Sequence, residues 1–491
     1  MADATRTAPA LLGKFLVLKG AARELWITFL VKCLAVAAYA VANSTLVLWL
    51  STDFGYSDQQ ALGLVAAWSL SMTVVTLLVG SLTDAIGLRK TFFLGVWICV
   101  IARAVMAFTT TPWLALAAGL FPLAIGEALG TPVLVAAVRR YSTTRQRSLS
   151  FSIFYAMMNV GFMVAAFIFD WVRESMGEHG QLTLPLVGKS ITTYRMLLLV
   201  SLGIELLLLP VLWFIREGAE ATEGGVRILP APARAAGVTL LRSLSRTVCD
   251  SAKATVRLFT GLLRQEGFYR LLVFLLLIAF LKLIFMQMYY VYPKFGIREL
   301  GQGAPVGRLW AINSILIIFL VPLVGALTQR FSAYRMVIVG GFISAASVFI
   351  MALPTAWFRA SADGWFGDWI AHGYLGLTGS VHPYYVMITL FVIGLSVGEA
   401  FYSPRVYEYA AAIAPKGQEA SYAALSYIPF LLAKLLIGIF SGTLLARYCP
   451  EEGARQSGTM WLFVALTASV APLGLILLRR YIRVRETGRE D

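Results

Sequence analysis

Charged residues, cysteine and histidine are all scarce in this chain. Only 14% of its 491 residues are charged and 59% are hydrophobic, whereas soluble domains have about 25% charged and about 45–50% apolar residues. A water-soluble protein could not bury this much apolar surface, so the composition excludes a soluble domain, and it excludes disordered and collagen-like chains as well. The four cysteines are scattered without paired spacing, which excludes a disulfide framework and a cysteine zinc site.

Signals for catalysis and metal binding are also missing. The three histidines, His179, His372 and His382, fall in predicted loops and have neither metal-ligand spacing nor a partner nucleophile. The triplet at 188–190 resembles the end of a phosphate-binding loop, but Thr183 stands where the first glycine should be. We therefore expect no enzyme activity, no metal, no cofactor and no ATP-driven step.

Long hydrophobic runs are what the chain does contain. A helix needs about 20 mostly apolar residues to cross the hydrocarbon core of a bilayer. No cleavage site follows a short apolar core near the N-terminus, so no removable signal peptide is expected. The sequence predicts an all-α membrane protein with twelve spans, at 24–50, 60–83, 91–109, 113–138, 148–172, 195–215, 268–292, 306–329, 335–354, 384–412, 419–446 and 458–480.

The distribution of lysine and arginine gives the orientation. With a cytoplasmic N-terminus, the cytoplasmic side receives 26 of the 41 basic residues and the opposite side receives nine. Both termini are therefore predicted in the cytoplasm, and we expect a multi-pass protein of the plasma membrane, taken as a bacterial inner membrane. The net charge of +15 then reflects membrane topology, and no nucleic-acid partner is expected.

The spans form two groups of six, separated by a basic linker. The linker's second half has a helical period and a basic face, which suits a helix on the anionic inner leaflet; a plain tether is equally compatible. The predicted segments are a cytoplasmic N-terminal segment (1–23), an N-terminal bundle (24–216), the linker (217–267), a C-terminal bundle (268–481) and a cytoplasmic tail (482–491).

Two short motifs are repeated between the halves. The run 80–84 (GSLTD) after the second span matches 325–329 (GALTQ) after the eighth. A Gly-Glu-Ala triplet at 126–128 matches another at 398–400, and a proline follows each. Each pair joins one span to the span six further along, so the sequence predicts two parallel six-helix bundles related by a pseudo-twofold axis, with a substrate site between them near the membrane midplane.

The first motif is part of a longer signature. Gly80–Lys90 (GSLTDAIGLRK) resembles the loop signature of the major facilitator superfamily. The resemblance implies the major facilitator fold, transport by alternating access, and a cytoplasmic gate formed by Asp84 and Arg89 with the adjacent Lys90. A second interpretation is that Arg89 and Lys90 only enforce topology.

Further motifs indicate a narrower resemblance. Phe151–Gly161 (FSIFYAMMNVG) resembles the fifth-helix signature of the proton-dependent oligopeptide transporter family, and parts of the eighth and tenth spans resemble that family too. This resemblance implies proton-coupled peptide transport through a cavity lined by helices one, four, five, seven, ten and eleven. Met158 and Phe162 depart from the commonest form of this signature. Elsewhere Lys32–Val36 stands in place of a Glu-x-x-Glu-Arg triplet, and Thr131 stands in place of a lysine that precedes a proline.

Seven ionisable residues fall well inside the predicted spans. At about 2.5–3.5 kcal/mol each, exposing all seven to lipid would cost roughly 17–25 kcal/mol, more than a folding stability of about 5–15 kcal/mol. Most of these side chains must therefore face the protein interior or a hydrated cavity. They are Lys32, Arg103, Glu127, Glu205, Lys282, Glu399 and Lys434.

Helical spacing adds polar neighbours to several of these charges. By the resemblance, Glu399 would bind the amino terminus of a substrate. Glu399 and Glu127 are candidates for proton coupling, because a carboxylate withdrawn from water binds a proton more readily; Glu127 could instead brace helix contacts, and Glu205 could simply pair with Arg103. The candidate substrate-binding residues are Glu399, Lys32, Lys282, Lys434, Tyr39, Asn159, Tyr155, Tyr289, Asn313 and Tyr427, of which the tyrosines could equally be packing residues.

Three functional hypotheses follow. The first is a secondary active transporter that couples proton entry to uptake of a di- or tripeptide or a similar zwitterion, working as a monomer in the bilayer. The second keeps the fold but transports an organic anion, because three cavity lysines outnumber the one firm cavity glutamate, Glu399. The third is a non-transporting receptor or scaffold, which would not need charged and polar residues along its helix faces.

Overall fold

The structure is a computed structural model, and long helices make up most of it. It describes residues 18–76, 87–143, 146–183, 188, 190–222, 225–228, 253, 260, 265–328, 330–413 and 428–483. The long helices of the first half are α1 (Arg23–Phe54), α2 (Asp58–Thr76), α3 (Leu88–Phe108), α4 (Pro112–Tyr141), α5 (Arg147–Met176) and α6 (Thr193–Trp213). Those of the second half are α7 (Glu266–Tyr290), α8 (Val306–Leu327), α9 (Ala333–Phe349), α10 (Pro383–Ile413), α11 (Ile428–Leu436, continued by Ile437–Ser441 and Gly442–Tyr448) and α12 (Ser457–Leu477).

Ten helices among the described residues are long and apolar enough to cross a membrane. They coincide with ten of the predicted spans. The other two predicted spans, 60–83 and 419–446, extend into residues 77–86 and 414–427, which lie outside the described part. The expected all-α multi-pass membrane fold is thus confirmed.

The first compact unit comprises Met1–Ala40, Ser71–Phe162 and Leu198–Thr255. It contains α3, α4 and parts of α1, α2, α5 and α6. Its core is a continuous apolar cluster in which the largest side chains include Phe29, Phe92 and Tyr141. A charge inside such a core is costly unless it is paired or hydrogen-bonded.

The second compact unit comprises Val41–Leu70, Met163–Leu197 and Val256–Asp491. It therefore holds the whole second half together with one end of each of α1, α2, α5 and α6. Its interior includes an aromatic cluster: Phe295 packs edge-on against Tyr384 and Trp461, each at 5.3 Å between ring centroids. The ends of the first-half helices in this unit are those predicted to be external.

Each unit contains one very close helix contact at the repeated Gly-Glu-Ala triplet. A Cβ atom at Gly126 in α4 would lie 2.9 Å from the carbonyl oxygen of Gly95 in α3. A Cβ atom at Gly398 in α10 would lie 2.6 Å from the carbonyl oxygen of Gly340 in α9. Small residues let membrane helices approach backbone to backbone, so the sequence repeat marks the same contact in both halves.

Two short antiparallel strand pairs interrupt the helical pattern. β1 (Gln181–Thr183) pairs with β2 (Ser190–Thr192), and β3 (Ala219–Thr222) pairs with β4 (Gly225–Ile228) in the predicted linker. The sequence did not predict them, because three or four residues are too few to show an alternating pattern. The predicted amphipathic linker helix falls on residues that, apart from 253 and 260, lie outside the described part.

The connection between α9 and α10 is a series of short helical turns rather than an open loop. They are Ile350–Ala352, Thr355–Phe358, Arg359–Ala362, Trp365–Asp368 and Trp369–Tyr374. Three tryptophans on them are strongly exposed: Trp357 at 70%, Trp365 at 80% and Trp369 at 60%. Exposed tryptophan is typical of the membrane–water interface.

Candidate functional site

The clearest polar site of the second unit surrounds Glu399 on α10. The carboxylate is buried and accepts a hydrogen bond from the Asn313 amide of α8 at 3.1 Å. The same amide also donates to Ser396 Oγ at 3.0 Å, one turn earlier on α10. Asn313 therefore fixes the orientation of the Glu399 side chain from a neighbouring helix.

Lys282 on α7 supplies the positive charge next to Glu399. The two side chains interact electrostatically, and the ammonium donates to Ser403 Oγ at 3.4 Å. It also lies 4.9 Å from the centroid of the Tyr402 ring, which partly replaces its lost hydration. Tyr289 lies two turns further along α7. It interacts electrostatically with Glu399 and packs edge-on against Trp310.

Lys434 on α11 is buried but stands apart from this cluster. Within the described residues its ammonium forms no hydrogen bond and no ion pair. A buried ammonium without a counter-charge is costly unless a ligand or water neutralises it. Tyr427, which the sequence places on the same helix face, lies outside the described residues.

In the first unit Lys32 on α1 is also buried. Its ammonium lies 4.8 Å from the centroid of the Phe154 ring and interacts electrostatically with Glu127 on α4. Asn159 uses its amide within its own helix, donating to the Tyr155 carbonyl at 3.0 Å. Tyr39 and Tyr155 are half-buried.

Arg103 on α3 joins two carboxylates. Its Nη2 donates to Glu127 Oε1, and its Nη1 lies 3.3 Å from Glu205 Oε2 on α6. The expected pairing of Glu205 with Arg103 is present, but Glu127 belongs to the same group. Sequence spacing could not reveal this triangle, because its members lie on three different helices.

A second set of charges, which the sequence analysis did not select, lies in the second unit at the predicted external end. Asp58 at the start of α2 pairs with Lys294 and, at 2.8 Å, with Arg298 of the short helix Tyr292–Leu300. Burial alone would raise the pKa of Asp58, but hydrogen bonds from Arg298 and Lys294 outweigh it and hold that pKa below its ordinary value. In the sequence, the only sign of this cluster was that one acidic and two basic residues lie just outside the ends of predicted spans.

Asp170 near the end of α5 makes another contact of this set. Its carboxylate accepts hydrogen bonds from the backbone N–H groups of Gly307 (2.9 Å) and Arg308 (2.6 Å) at the start of α8. Arg173 lies 3.2 Å from the same carboxylate. A carboxylate at a helix N-terminus is stabilised by the free N–H groups and the helix dipole, so this contact ties α5 firmly to α8.

The predicted cytoplasmic gate is described only in part. Arg89 donates to the carbonyl of Trp213 at 3.1 Å and lies over its indole ring. Lys90 forms a 2.6 Å ion pair with Glu217. Asp84 lies outside the described residues. Within the described part, Arg89 contacts the end of α6 and Lys90 contacts the segment that follows it.

The sequence of residues 28–371 matches the family of proteins called the Major Facilitator Superfamily. This chain belongs to the Major Facilitator Superfamily. Membership assigns it to a family of membrane transporters. No curated protein is significantly similar to the chain.

Solved structures resemble this facilitator over nearly its whole length. One, described as showing substrate recognition in proton dependent oligopeptide transporters, has 17% identity and a TM-score of 0.66 and covers 94% of this chain and 98% of its own. A POT family transporter in complex with 5-aminolevulinic acid has 16% identity, a TM-score of 0.67 and coverages of 94% and 97%. A peptide transporter POT in complex with sulfate has 14% identity, a TM-score of 0.66 and coverages of 96% and 98%. These likenesses establish the shared fold.

Proposed function

We propose that this facilitator is a secondary active transporter that couples proton entry to the uptake of di- or tripeptides or similar small zwitterions. It would work by alternating access as a monomer in a bacterial inner membrane, with both termini in the cytoplasm. The observation that carries the proposal is the buried Glu399, held by Asn313 and facing Lys282. This arrangement presents a negative and a positive group to one small molecule.

The chemistry of the cluster suits a zwitterion. The ammonium end of a peptide would bind Glu399 in place of Lys282, and the released Lys282, or Lys434, would bind the carboxylate end. Protonation of Glu399 removes its attraction for either cation, so proton and cargo occupancy are linked through one group. A ligand that carries an amine and a carboxylate, 5-aminolevulinic acid, is bound by one of the structurally similar transporters, which supports this choice of cargo.

A second candidate function is transport of an organic anion. Lys434 favours it, because this lysine has no acidic partner among the described residues. Lys32 favours it as well: within the described residues it interacts electrostatically with Glu127 but forms no hydrogen bond with it. Two cations without a bonded carboxylate would attract cargo with net negative charge. The same property would make a neutral peptide a weaker ligand.

An uptake assay separates the two functions. Proteoliposomes with an imposed inward proton gradient should accumulate radiolabelled L-alanyl-L-alanine, and a mixture of unlabelled dipeptides should compete with it. No accumulation and no competition by peptides, together with uptake of dicarboxylates, would favour the anion function. A gradient collapsed with a protonophore is the control for coupling.

The gate is part of the proposal. Asp84, Arg89 and Lys90 would hold the cytoplasmic helix ends in the outward-open state and release them in the opposite state. Arg89 and Lys90 now bind the end of α6, which supports a role in helix positioning. Crosslinking of cysteines placed on either side of the loop 77–87 should then depend on whether cargo is present.

A further inference from the structure

A polar cavity lies in the second unit at the predicted external end. Its volume is about 260 Å³, just below the range of about 300–1,000 Å³ that is usual for drug-sized ligands, so it suits a smaller molecule. Ligand sites are lined mainly by apolar side chains, whereas every described residue that lines this cavity is polar or charged. They are Thr52, Asp53, Glu178, His179, Gln181, Thr192 and Arg195. A small polar molecule is therefore the expected occupant.

The β1–β2 hairpin forms one wall of the cavity. Gln181 and Thr192 are paired directly across the two strands, and both line the cavity. Because side chains alternate between the two faces of a strand, Leu182 and its partner Ile191 lie on the opposite face. The hairpin thus presents one polar face to the cavity.

Asp53 of α1 and Arg195 of α6 form a buried ion pair beside this wall. Arg195 Nε donates to Asp53 Oδ2 at 2.8 Å, and Thr192 Oγ1 donates to the same oxygen at 2.8 Å. The side chains of Arg195 and Asp53 are 9% and 1% exposed. The Phe54 ring centroid lies 5.6 Å from Arg195 Cζ, so the guanidinium is held by a ring as well as by a carboxylate.

Part of this ion pair is left unused. Within the described residues Asp53 Oδ1 accepts no hydrogen bond, and Arg195 Nη1 and Nη2 donate none. An arginine and a carboxylate that pair for structure alone are frequently bidentate, with two N–H groups bonded to the two oxygens. A buried polar atom without a partner calls for an explanation, such as a bound ligand. Here an unused acceptor and unused donors belong to two side chains in contact.

Glu178, the other carboxylate of the lining, is by contrast fully occupied. It accepts hydrogen bonds from Arg173 Nε at 3.1 Å, from the Tyr194 hydroxyl at 2.6 Å and from the Gly303 backbone N–H at 3.3 Å. Its charge is balanced by the same arginine. Glu178 therefore builds the wall, and the remaining binding capacity of the cavity is concentrated at the ion pair.

We propose that this cavity binds a free α-amino acid, whose ammonium donates to Asp53 Oδ1 and whose carboxylate accepts from the terminal nitrogens of Arg195. The two side chains are in contact, so a matching ligand must carry its opposite charges close together. An α-amino acid does so, because both charged groups are attached to one carbon, whereas the termini of a dipeptide are separated by a further residue. A zwitterion also leaves the net charge of the cavity unchanged. The site is distinct from the cargo site proposed at Glu399 and does not depend on it.

Direct binding tests this site. Equilibrium dialysis of the purified full-length protein against radiolabelled L-alanine should show saturable binding, and Glu399→Gln should retain it. Unlabelled propionate and ethylamine each lack one of the two charged groups, so they should compete at least about tenfold more weakly than unlabelled L-alanine. L-alanyl-L-alanine should also compete weakly, because its charges are too far apart. No saturable binding, loss of binding in Glu399→Gln, or equal competition by propionate would overturn the proposal.

Two substitutions locate the binding in the cavity. Arg195→Gln removes the partner of the ligand carboxylate and should weaken L-alanine binding at least about tenfold. Gln181→Trp keeps the ion pair and fills the cavity from an exposed position of the hairpin, so it gives the same test if Arg195→Gln does not fold. Leu182→Trp is the matched control and should leave binding unchanged, because Leu182 is 48% exposed and lies on the opposite face of the same strand. Unchanged affinity in Gln181→Trp, or an equal loss in Leu182→Trp, would show that L-alanine binds elsewhere.

Discussion

Gly398 packs against Gly340 at a separation that only glycine permits. A Cβ atom at position 398 would lie 2.6 Å from the Gly340 carbonyl oxygen and 2.7 Å from the Ser344 backbone nitrogen. Backbone atoms cannot move aside as a flexible side chain can, so α9 and α10 would have to separate. We expect Gly398→Ala to lower stability by about 1–3 kcal/mol, measured as the thermal unfolding midpoint in detergent.

Gly130 in α4 is the matched control for this prediction. A Cβ atom there meets nothing within 4 Å, so Gly130→Ala should be neutral or stabilise the protein by about 0.4–1 kcal/mol. Gly126→Ala, at the equivalent contact of the first unit, should behave like Gly398→Ala. Equal effects of all three alanines would contradict the close contact as the cause.

Asp58 should contribute strongly to stability at the predicted external end. Its side chain and those of Lys294 and Arg298 are all less than 10% exposed, so Asp58→Asn leaves buried cations without a full partner. We expect a loss of about 3–5 kcal/mol. Glu451→Gln is the control, because Glu451 also pairs with Arg298 but is 76% exposed, and it should cost about 0–1 kcal/mol.

The pH dependence of that loss has a definite sign. The pKa of Asp58 is lowered in the folded protein, so its contribution is complete above the unfolded-state pKa of about 3.9 and disappears as the pH falls through the lowered folded-state pKa. The gap in unfolding midpoint between the unsubstituted protein and Asp58→Asn should stay constant from pH 8 to pH 5. It should narrow only in stronger acid, and a gap that closes near neutral pH would rule out Asp58 as its source.

Glu399→Gln should separate coupling from translocation. The amide cannot take up or release a proton but keeps the shape of the side chain and its bond with Asn313. We expect proton-driven accumulation of L-alanyl-L-alanine in proteoliposomes to be abolished while counterflow without a gradient persists. Glu266→Gln, an exposed carboxylate at the start of α7, should leave both activities unchanged, and full retention of driven uptake in Glu399→Gln would remove Glu399 from the coupling role.

Lys434→Met should have opposite effects on stability and transport. Replacing a buried ammonium that has no partner among the described residues with an apolar side chain of similar length should stabilise the protein by about 1 kcal/mol or more. It should also abolish uptake if Lys434 binds the cargo carboxylate. Lys294→Met is the comparison, because Lys294 is paired with Asp58 and its removal should lower the unfolding midpoint.

The sequence predicted the features that depend on composition and local repetition. Apolar runs located ten spans of the described residues to within a few residues. The Gly-Glu-Ala triplets located the equivalent glycine contacts of the two halves. The cost of placing charge in lipid identified the residues that the structure buries, including Glu399 and Lys282. These inferences need only helix geometry and the chemistry of the bilayer.

The sequence could not predict which residue each buried charge pairs with. Lys282 and Lys434 were both candidate substrate-binding residues, and only the contact of α7 with α10 places Lys282 beside Glu399. The Arg103 triangle and the contacts of Asp58 and Asp170 join residues that are far apart in sequence, so no period or spacing marks them. A single sequence shows which residues share a helix face, but it does not show which neighbouring helix that face is turned toward.

The exposed tryptophans between α9 and α10 have a consequence for the lipid environment of the transporter. We expect the exposed Trp357, Trp365 and Trp369 to hold this connection at the level of the headgroups. Glu399 lies about four turns along α10 from its start at Pro383. A thinner or thicker bilayer therefore imposes a hydrophobic mismatch on the helix that carries the cargo group. Transport rates in vesicles of graded acyl-chain length should pass through an optimum, and substituting the three tryptophans should flatten it.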